Sequence, residues 1–394
     1  MNGKLSFSPA DILLPKNGFS DWATIACDQF TSEPAYWEKA EKLTENVPSC
    51  LHITLPEVYL EKDGVKERIE TINQTMRDYL ANGTFTEYRD ALVLVERTLA
   101  DGRVRKGIVG KFALADYDYT AGSTPPIRPT EGTVLSRIPA RVQIRKDAPL
   151  ELPHVMILID DRKKTVIESL DPAGFPVLYD FDLMLGGGHL KGYLIPEKEK
   201  KELLEKLSVL ADNAGGLPFA VGDGNHSLAT AKACAELIPG TASQYALAEL
   251  VNIHDPSLDF EPIYRVLFGV DPDDLIPALQ KAFPAKTGKK IEYCGSGIQG
   301  EVFTEGLETG ALQDFLDAYL QAHPQVKIDY IHGEASLRSL ASGKGAIGFL
   351  FRGITKEELF PYVLANGPLP RKTFSMGEAV DKRYYVEARR IRED

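Results

Sequence analysis

No apolar run in this chain approaches the ~20 residues that a helical membrane span requires, so no membrane insertion is expected. Cysteine is scarce. Cys27, Cys50, Cys234 and Cys294 are far apart and form no Cys-x-x-Cys pair, which argues against a disulfide framework or a structural zinc site. Positive charge is in deficit: 45 Lys and Arg stand against 57 Asp and Glu, a net charge of −12. That balance argues against general nucleic-acid binding and still leaves room for a local basic pocket. Residues 1–5 lack the apolar stretch of a secretory signal, and a cytoplasmic location is expected. Several catalytic signatures are missing as well: there is no His-Glu-x-x-His, no P-loop and no Gly-x-Ser-x-Gly. A zinc hydrolase, a standard NTPase and an α/β-hydrolase thereby lose their usual support. One Gly-x-Gly-x-x-Gly run occurs at Gly295, Gly297 and Gly300, but residues 301–303 read as extended and the next helix starts only near 310. A dinucleotide-binding loop needs a helix opening among its glycines, so that reading is rejected.

What is present is ordinary for a globular protein: 43% hydrophobic and 26% charged residues. A chain of 394 residues can bury a large core, arranged here as two or three closely joined units. The patterning predicts a mixed α/β and α+β fold, a central mixed sheet with flanking helices. Its parts are an N-terminal helical segment over 1–82 packed on the core, a central α/β core over 83–268, and a C-terminal α+β portion over 269–394.

Helices are expected from Pro34, with Tyr36, Trp37, Ala40 and Leu43 as the apolar face, and over 65–81, closed by Asn82 and Gly83. Strands over 91–97 and 106–110 flank a hairpin turn at 100–102. A polar loop over 121–126 then delivers Arg128 and Glu131. Arg137, Arg141 and Arg145 share i,i+4 spacing, although Pro139 is expected to disturb a helix there. They read either as a solvated face or as guanidinium forks for phosphate. Further strands are expected over 154–160, 246–253 and 346–351, and helices over 197–211, 310–322 and 356–365. Gly186, Gly187 and Gly188 ahead of His189 read as a connection.

The most informative stretch is residues 217–237. A short apolar run over 219–221 reads as a buried strand, and Gly222, Asp223 and Gly224 as a tight turn. Leu228, Ala231 and Ala235 then recur at helical spacing. Such a strand–turn–helix aims backbone N–H groups and a positive dipole end at whatever lies above it, which suits phosphate or carboxylate. Asp223 or Asn225 is the expected cap. Gly, Asp and Asn also make plain corners, but a corner does not need His226.

This stretch resembles the Asp-Gly-His-His-Arg signature of the family called domain of unknown function 1015. Arg128-Pro129-Thr130-Glu131-Gly132-Thr133 is similar to that family's Arg-Pro-His-Glu-x-Thr. Asp255-Pro256-Ser257-Leu258 and Pro262-Ile263-Tyr264-Arg265 resemble its Asp-Pro-Gly-Leu and Pro-Thr-His-Arg. Pro370-Arg371-Lys372-Thr373 resembles its Pro-x-Lys-Ser, and Asp28 matches the Asp of its Pro-Tyr-Asp-Val. Asn225, Ser227 and Thr130 depart from the family's His, Arg and His. The Asp-Gly-x-His run is also similar to that of ParB and sulfiredoxin-like domains, including archaeal free-serine kinases, where it holds nucleotide phosphates; this implies a core of that type.

The reading that follows is a nucleotide-binding phosphotransferase using ATP or ADP with Mg2+ and acting on a small hydroxyl metabolite. Asp223 or Glu131 is the candidate base, and His226 with Arg128 the phosphate-stabilising pair. Gly222, Gly224, Asn225 and Ser227 form the cradle, and the resemblance adds Arg265 and Lys372 as phosphate ligands. The expected partner is a small-molecule or nucleotide ligand, with no set of metal-ligating residues. The departures favour a rival, a non-catalytic nucleotide-sensing or partner-binding module. A third reading, metal-dependent hydrolysis, requires His226 and His254 to converge.

Overall fold

The computed structural model describes residues 5–60, 62–120, 122–152 and 154–393; Ala121, which opens the expected polar loop, and residues 1–4, read above for a signal, lie outside them. The chain divides into two compact units, residues 1–258 with 378–394, and residues 259–377.

In the first unit, helix α1 (Pro34–Thr44) starts on Pro34, where a missing N–H costs nothing. It buries Trp37, Ala40 and Thr44, while Leu43, expected on that face, is 54% exposed. Helix α2 (Val65–Ala81) ends at Asn82, and Gly83 follows in the left-handed region. Strands β1 (Val93–Thr98) and β2 (Val104–Ala113) form the expected hairpin, closed by Leu99 N–H to Arg103 O at 2.8 Å. Strand β3 (Ile127–Pro129) precedes helix α3 (Ile138–Arg145). Pro139 does not disturb α3, because it occupies the first turn. Strand β4 (Met156–Ile159) is shorter than its apolar run suggests. Strands β5 (Val177–Asp182) and β6 (His189–Leu194) form a second hairpin, and the three glycines are its connection. Gly188 lies so close to Thr98 that a Cβ would sit 2.3 Å from that residue's carbonyl oxygen. Helix α4 (Glu197–Asp212), strand β7 (Phe219–Asp223), helix α5 (Asn225–Ala235) and strand β8 (Tyr245–Asn252) follow.

The sheet order is β5-β6-β1-β2-β8-β4-β7-β3, with Phe7–Ser8 pairing along β2 as a ninth strand. It is mixed: β8/β4 and β7/β3 are parallel and the other pairs antiparallel. Alternate residues feed two cores. Leu94, Ile108, Ile157, Val221 and Leu250 pack with Leu203 and Leu207 of α4 and Leu228 and Ala231 of α5. Val93, Val95, Val109 and Leu247 pack on the other face with Trp37 and Ala40 of α1 and with Tyr384 and Val386. Both faces are therefore covered, which is why the central strands read as nearly continuous apolar runs. The chain end belongs to this unit: Ala388 exchanges backbone hydrogen bonds with Leu13 at 2.8 and 2.9 Å, and Trp22 Nε1–H donates to Val386 O at 2.8 Å.

The second unit has its own antiparallel six-stranded sheet. Its main path runs Ile298–Thr304, Lys289–Gly295, Ala346–Phe351, Phe260–Phe268, Lys327–His332, and Phe374–Met376 also pairs with Phe260–Phe268. Leu275, Leu279, Leu312, Leu316 and Phe349 form its core. Gly295, Gly297 and Gly300 lie in the hairpin joining two of these strands, as their rejection for a dinucleotide loop implies. Among the described residues no helix is long and apolar enough to cross a membrane.

Candidate functional site

Strand β7 is held between β4 and β3, and its Phe219, Ala220 and Val221 are fully buried. The chain then turns at Gly224, whose φ of 78° places it in the left-handed region as the residue before α5. A Cβ there would also approach Val155 Cα to 2.9 Å, so the position requires glycine twice over. The expected side-chain cap is not made. Asp223 Oδ1 instead accepts from the N–H of Gly224 at 2.8 Å, fixing the turn, and Asn225 is already helical. Asn225 Oδ1 is buried without a hydrogen-bond partner. The first i→i−4 bond of α5 runs from Leu228 N–H to Gly224 O, so the amides of 225–227 lie ahead of it at the positive end of the helix.

The segment carrying Arg128 and Glu131 is drawn to this turn. Strand β3 runs parallel to β7 with Arg128 opposite Ala220. Thr130 Oγ1–H donates to Val221 O at 2.7 Å, and Val134 N–H donates to His226 Nε2 at 3.2 Å. Glu131 lies between these two anchors. Through this contact the His226 ring orders the loop. The Arg128 guanidinium points the other way. It donates to Pro125 O at 3.0 Å and Gly216 O at 2.9 Å, at the start of β7, away from His226.

Other groups border the turn. His154 directly precedes Val155, on which Gly224 packs. Its Nδ1 lies 2.8 Å from Tyr385 OH and its Nε2 3.5 Å from Asp28 Oδ2. Gln29 donates to Asp28 Oδ1 at 3.0 Å, and Lys382 Nζ lies 3.2 Å from Asp223 Oδ2. Burial alone would lower the proton affinity of His154, but the charge and hydrogen bond of Asp28, with Asp223 and Glu57 beyond, raise it above the ordinary value. Burial alone would raise Asp28, yet His154, Gln29 and Lys382 hold it well below the usual carboxylate range. The two form an ion pair. Burial pushes the neighbouring Cys27 thiol up to about 12, so it stays protonated and unreactive. The Asp28, Asp223 and Lys382 side chains retain 30%, 23% and 17% exposure, recessed but reachable. The resemblance pointed to Asp28. His154, Tyr385 and Lys382 carried no local signal, because only contacts such as that between residues 154 and 385 bring them here.

The remaining candidates lie elsewhere. In the second unit Arg265 is fully buried, donating to Gln313 Oε1 at 3.1 Å, to Lys372 O at 2.9 Å and to Ile263 O. It orders the loop of Lys372, whose φ of 60° is left-handed and whose ammonium lies 5.7 Å from the Tyr330 ring centre. In the first unit His254 Nε2 is 2.6 Å from Asp160 Oδ1, beyond the end of β4 opposite to Val155. His226 and His254 do not converge. Among the described residues no group of three or more His, Cys, Asp or Glu is placed to hold a metal ion.

The model of a family described as protein of unknown function, DUF1015, matches residues 8–358. The chain belongs to the DUF1015 family. No curated protein matches this DUF1015 chain. Solved structures to which the chain is similar include a free serine kinase variant in complex with AMP, at 12% identity and TM-score 0.42, covering 72% of this chain and 92% of that one. A conserved hypothetical protein from Pyrococcus furiosus is 13% identical with TM-score 0.37, over 68% and 90%. SbnI from Staphylococcus aureus, truncated at its C-terminus, is 9% identical with TM-score 0.38, over 68% and 82%.

Proposed function

We propose that this DUF1015 protein binds the phosphates of ATP or ADP at the β7–α5 turn and passes a phosphoryl group to the hydroxyl of a small metabolite. The observation that supports it is the convergence of the Asp28–His154 pair and Lys382 on a helix start opened by Gly224. The amides of Asn225, His226 and Ser227, with a partial charge of roughly half an electron at the helix start, hold a phosphate. Lys382 turns from Asp223 to a phosphate oxygen. Asp28 orients the acceptor hydroxyl; as that oxygen bonds to phosphorus and the bridging P–O bond breaks, Asp28 takes its proton and ADP leaves. A carboxylate of low proton affinity suits a loose transition state, in which the proton moves late. Asp223, the carboxylate at the turn, would hold a Mg2+ ion brought with the nucleotide, which would supply charge neutralisation for the phosphates. A cytoplasmic location goes with this use of ATP.

The commitment of His226 Nε2 to Val134 favours a second reading, a non-catalytic nucleotide sensor. Turnover separates the two. ADP release from ATP, measured across a panel of small hydroxyl compounds, should fall about a hundredfold in Asp28→Asn with ADP affinity retained, the scale of a lost general base. Unchanged turnover in Asp28→Asn would remove the base from the scheme, and no turnover with any acceptor would favour the sensor.

A further inference from the structure

Arg97 of β1 and Arg105 of β2 are direct cross-strand partners, and only 1% and 5% of their surfaces are exposed. Two guanidinium groups side by side inside a protein need counter-charge. Arg97 Nη2 donates to Val380 O at 3.1 Å and its guanidinium lies 5.1 Å from the Tyr384 ring centre; Arg105 Nη1 donates to Asp381 O at 3.3 Å. Arg97 Nε and Nη1 and Arg105 Nε are buried with no hydrogen-bond partner. Two acceptors nearby are in the same condition, Glu249 Oε1 and Asp381 Oδ1. Glu249 Oε1 lies 3.8 Å from Arg105 Nε, too far for a hydrogen bond. The other oxygen of Glu249, and Glu387, are engaged by Arg383. Burial, and then the charge of Arg105, bring the proton affinity of Arg97 down to about 10. Buried donors and acceptors left without hydrogen bonds in one neighbourhood mark a place where a further molecule completes the bonding.

We propose that Arg97 and Arg105 hold the carboxylate of a small hydroxy acid, whose hydroxyl donates to Glu249 Oε1 or Asp381 Oδ1, with residues 379–382 closed over it. A planar carboxylate matches guanidinium forks. The two protein carboxylates beside it disfavour a phosphate dianion and favour a monoanion that carries a donor of its own. Strand β2 stands three places from β7 in the sheet, and of the groups given to the nucleotide only Lys382 lies in the segment over this site.

The test is calorimetric titration of the full chain with lactate, acetate and inorganic phosphate. The expected result is saturable lactate binding, tighter than acetate or phosphate. It should weaken at least about tenfold in Arg97→Gln and in Arg105→Gln, with ADP affinity unchanged. No saturable lactate heat, equal binding by the variants, or phosphate binding as tight as lactate would overturn the proposal. Loss of ADP binding alone would bear only on the nucleotide site. If the variants do not fold, a crystal structure of the unaltered protein with lactate decides: lactate spanning both guanidinium groups supports the site, and water there overturns it.

Discussion

At the scale of single residues, the Asp28–His154 pair ties stability to pH in a stated direction. His154 is raised above its ordinary value of 6.5, so its contribution is complete below that pH and is lost as pH rises through the folded value. Asp28 is held below its ordinary 3.8, so its contribution is present above that pH and is lost as pH falls through the folded value. Between these ordinary values both contributions are complete. Asp28→Asn should therefore destabilise by about 1–3 kcal/mol at pH 6, a moderate figure because the carboxylate is partly solvated, and by clearly less at pH 9. Thermal unfolding of both proteins at the two pH values checks this; an equal loss at each would contradict the ion pair. His226, Gly224 and Asp223 were legible in the sequence because each lies in a local pattern of turn and helix. Lys382 and His154 were not, since neither has a neighbour in sequence that hints at its contacts. Arg128 was legible as a residue but not as a direction, because the carbonyls of Pro125 and Gly216 capture its guanidinium.

At the scale of elements, the β7–α5 junction depends on one backbone conformation. Gly224→Ala combines a left-handed alanine with a Cβ against the Val155 backbone, and should cost about 1–3 kcal/mol in denaturant unfolding. A loss of a few tenths or less would mean that the turn adjusts freely. The strand–turn–helix order here and the span of α2 were visible in periodicity alone, because apolar runs and helical spacing are local properties. The helix start was legible within a residue, while the absence of a side-chain cap was not, since Asp223 has Gly224 N–H and Lys382 to satisfy first. Pro139 shows the converse: its effect depends on whether it falls in the first turn or the interior, which turns on a boundary that spacing leaves open.

At the scale of the whole molecule, the chain leaves the first unit at 258 and returns at 378, and the second unit closes on itself through Gly377 N–H to Asp259 O at 3.2 Å. Its ends are therefore adjacent, and residues 259–377 made alone should unfold in one cooperative transition; a non-cooperative melt would contradict an independent core. Deleting 378–394 should instead unfold the first unit. It strips Arg389 from buried Glu151 and Arg383 from buried Glu249, and breaking a buried pair costs about 3–5 kcal/mol against a total stability of about 5–15 kcal/mol. This return of the chain end was illegible in the sequence, because Glu151 and Glu249, the partners of Arg389 and Arg383, lie more than a hundred residues away.

The proposed function turns on a phosphate held by the amides at the start of α5. Isothermal titration of the full chain with ADP tests it most directly, with Ser227→Asp and Lys382→Ala beside the unaltered protein. A carboxylate in the first turn should leave the helix as stable or firmer by about 0.3–1 kcal/mol while occupying the phosphate position. Saturable ADP binding is expected, weakening at least about tenfold, ~1.4 kcal/mol, in each variant, with folding intact. Absence of saturable ADP binding in the unaltered protein, or unchanged affinity in a folded Ser227→Asp protein, would contradict it.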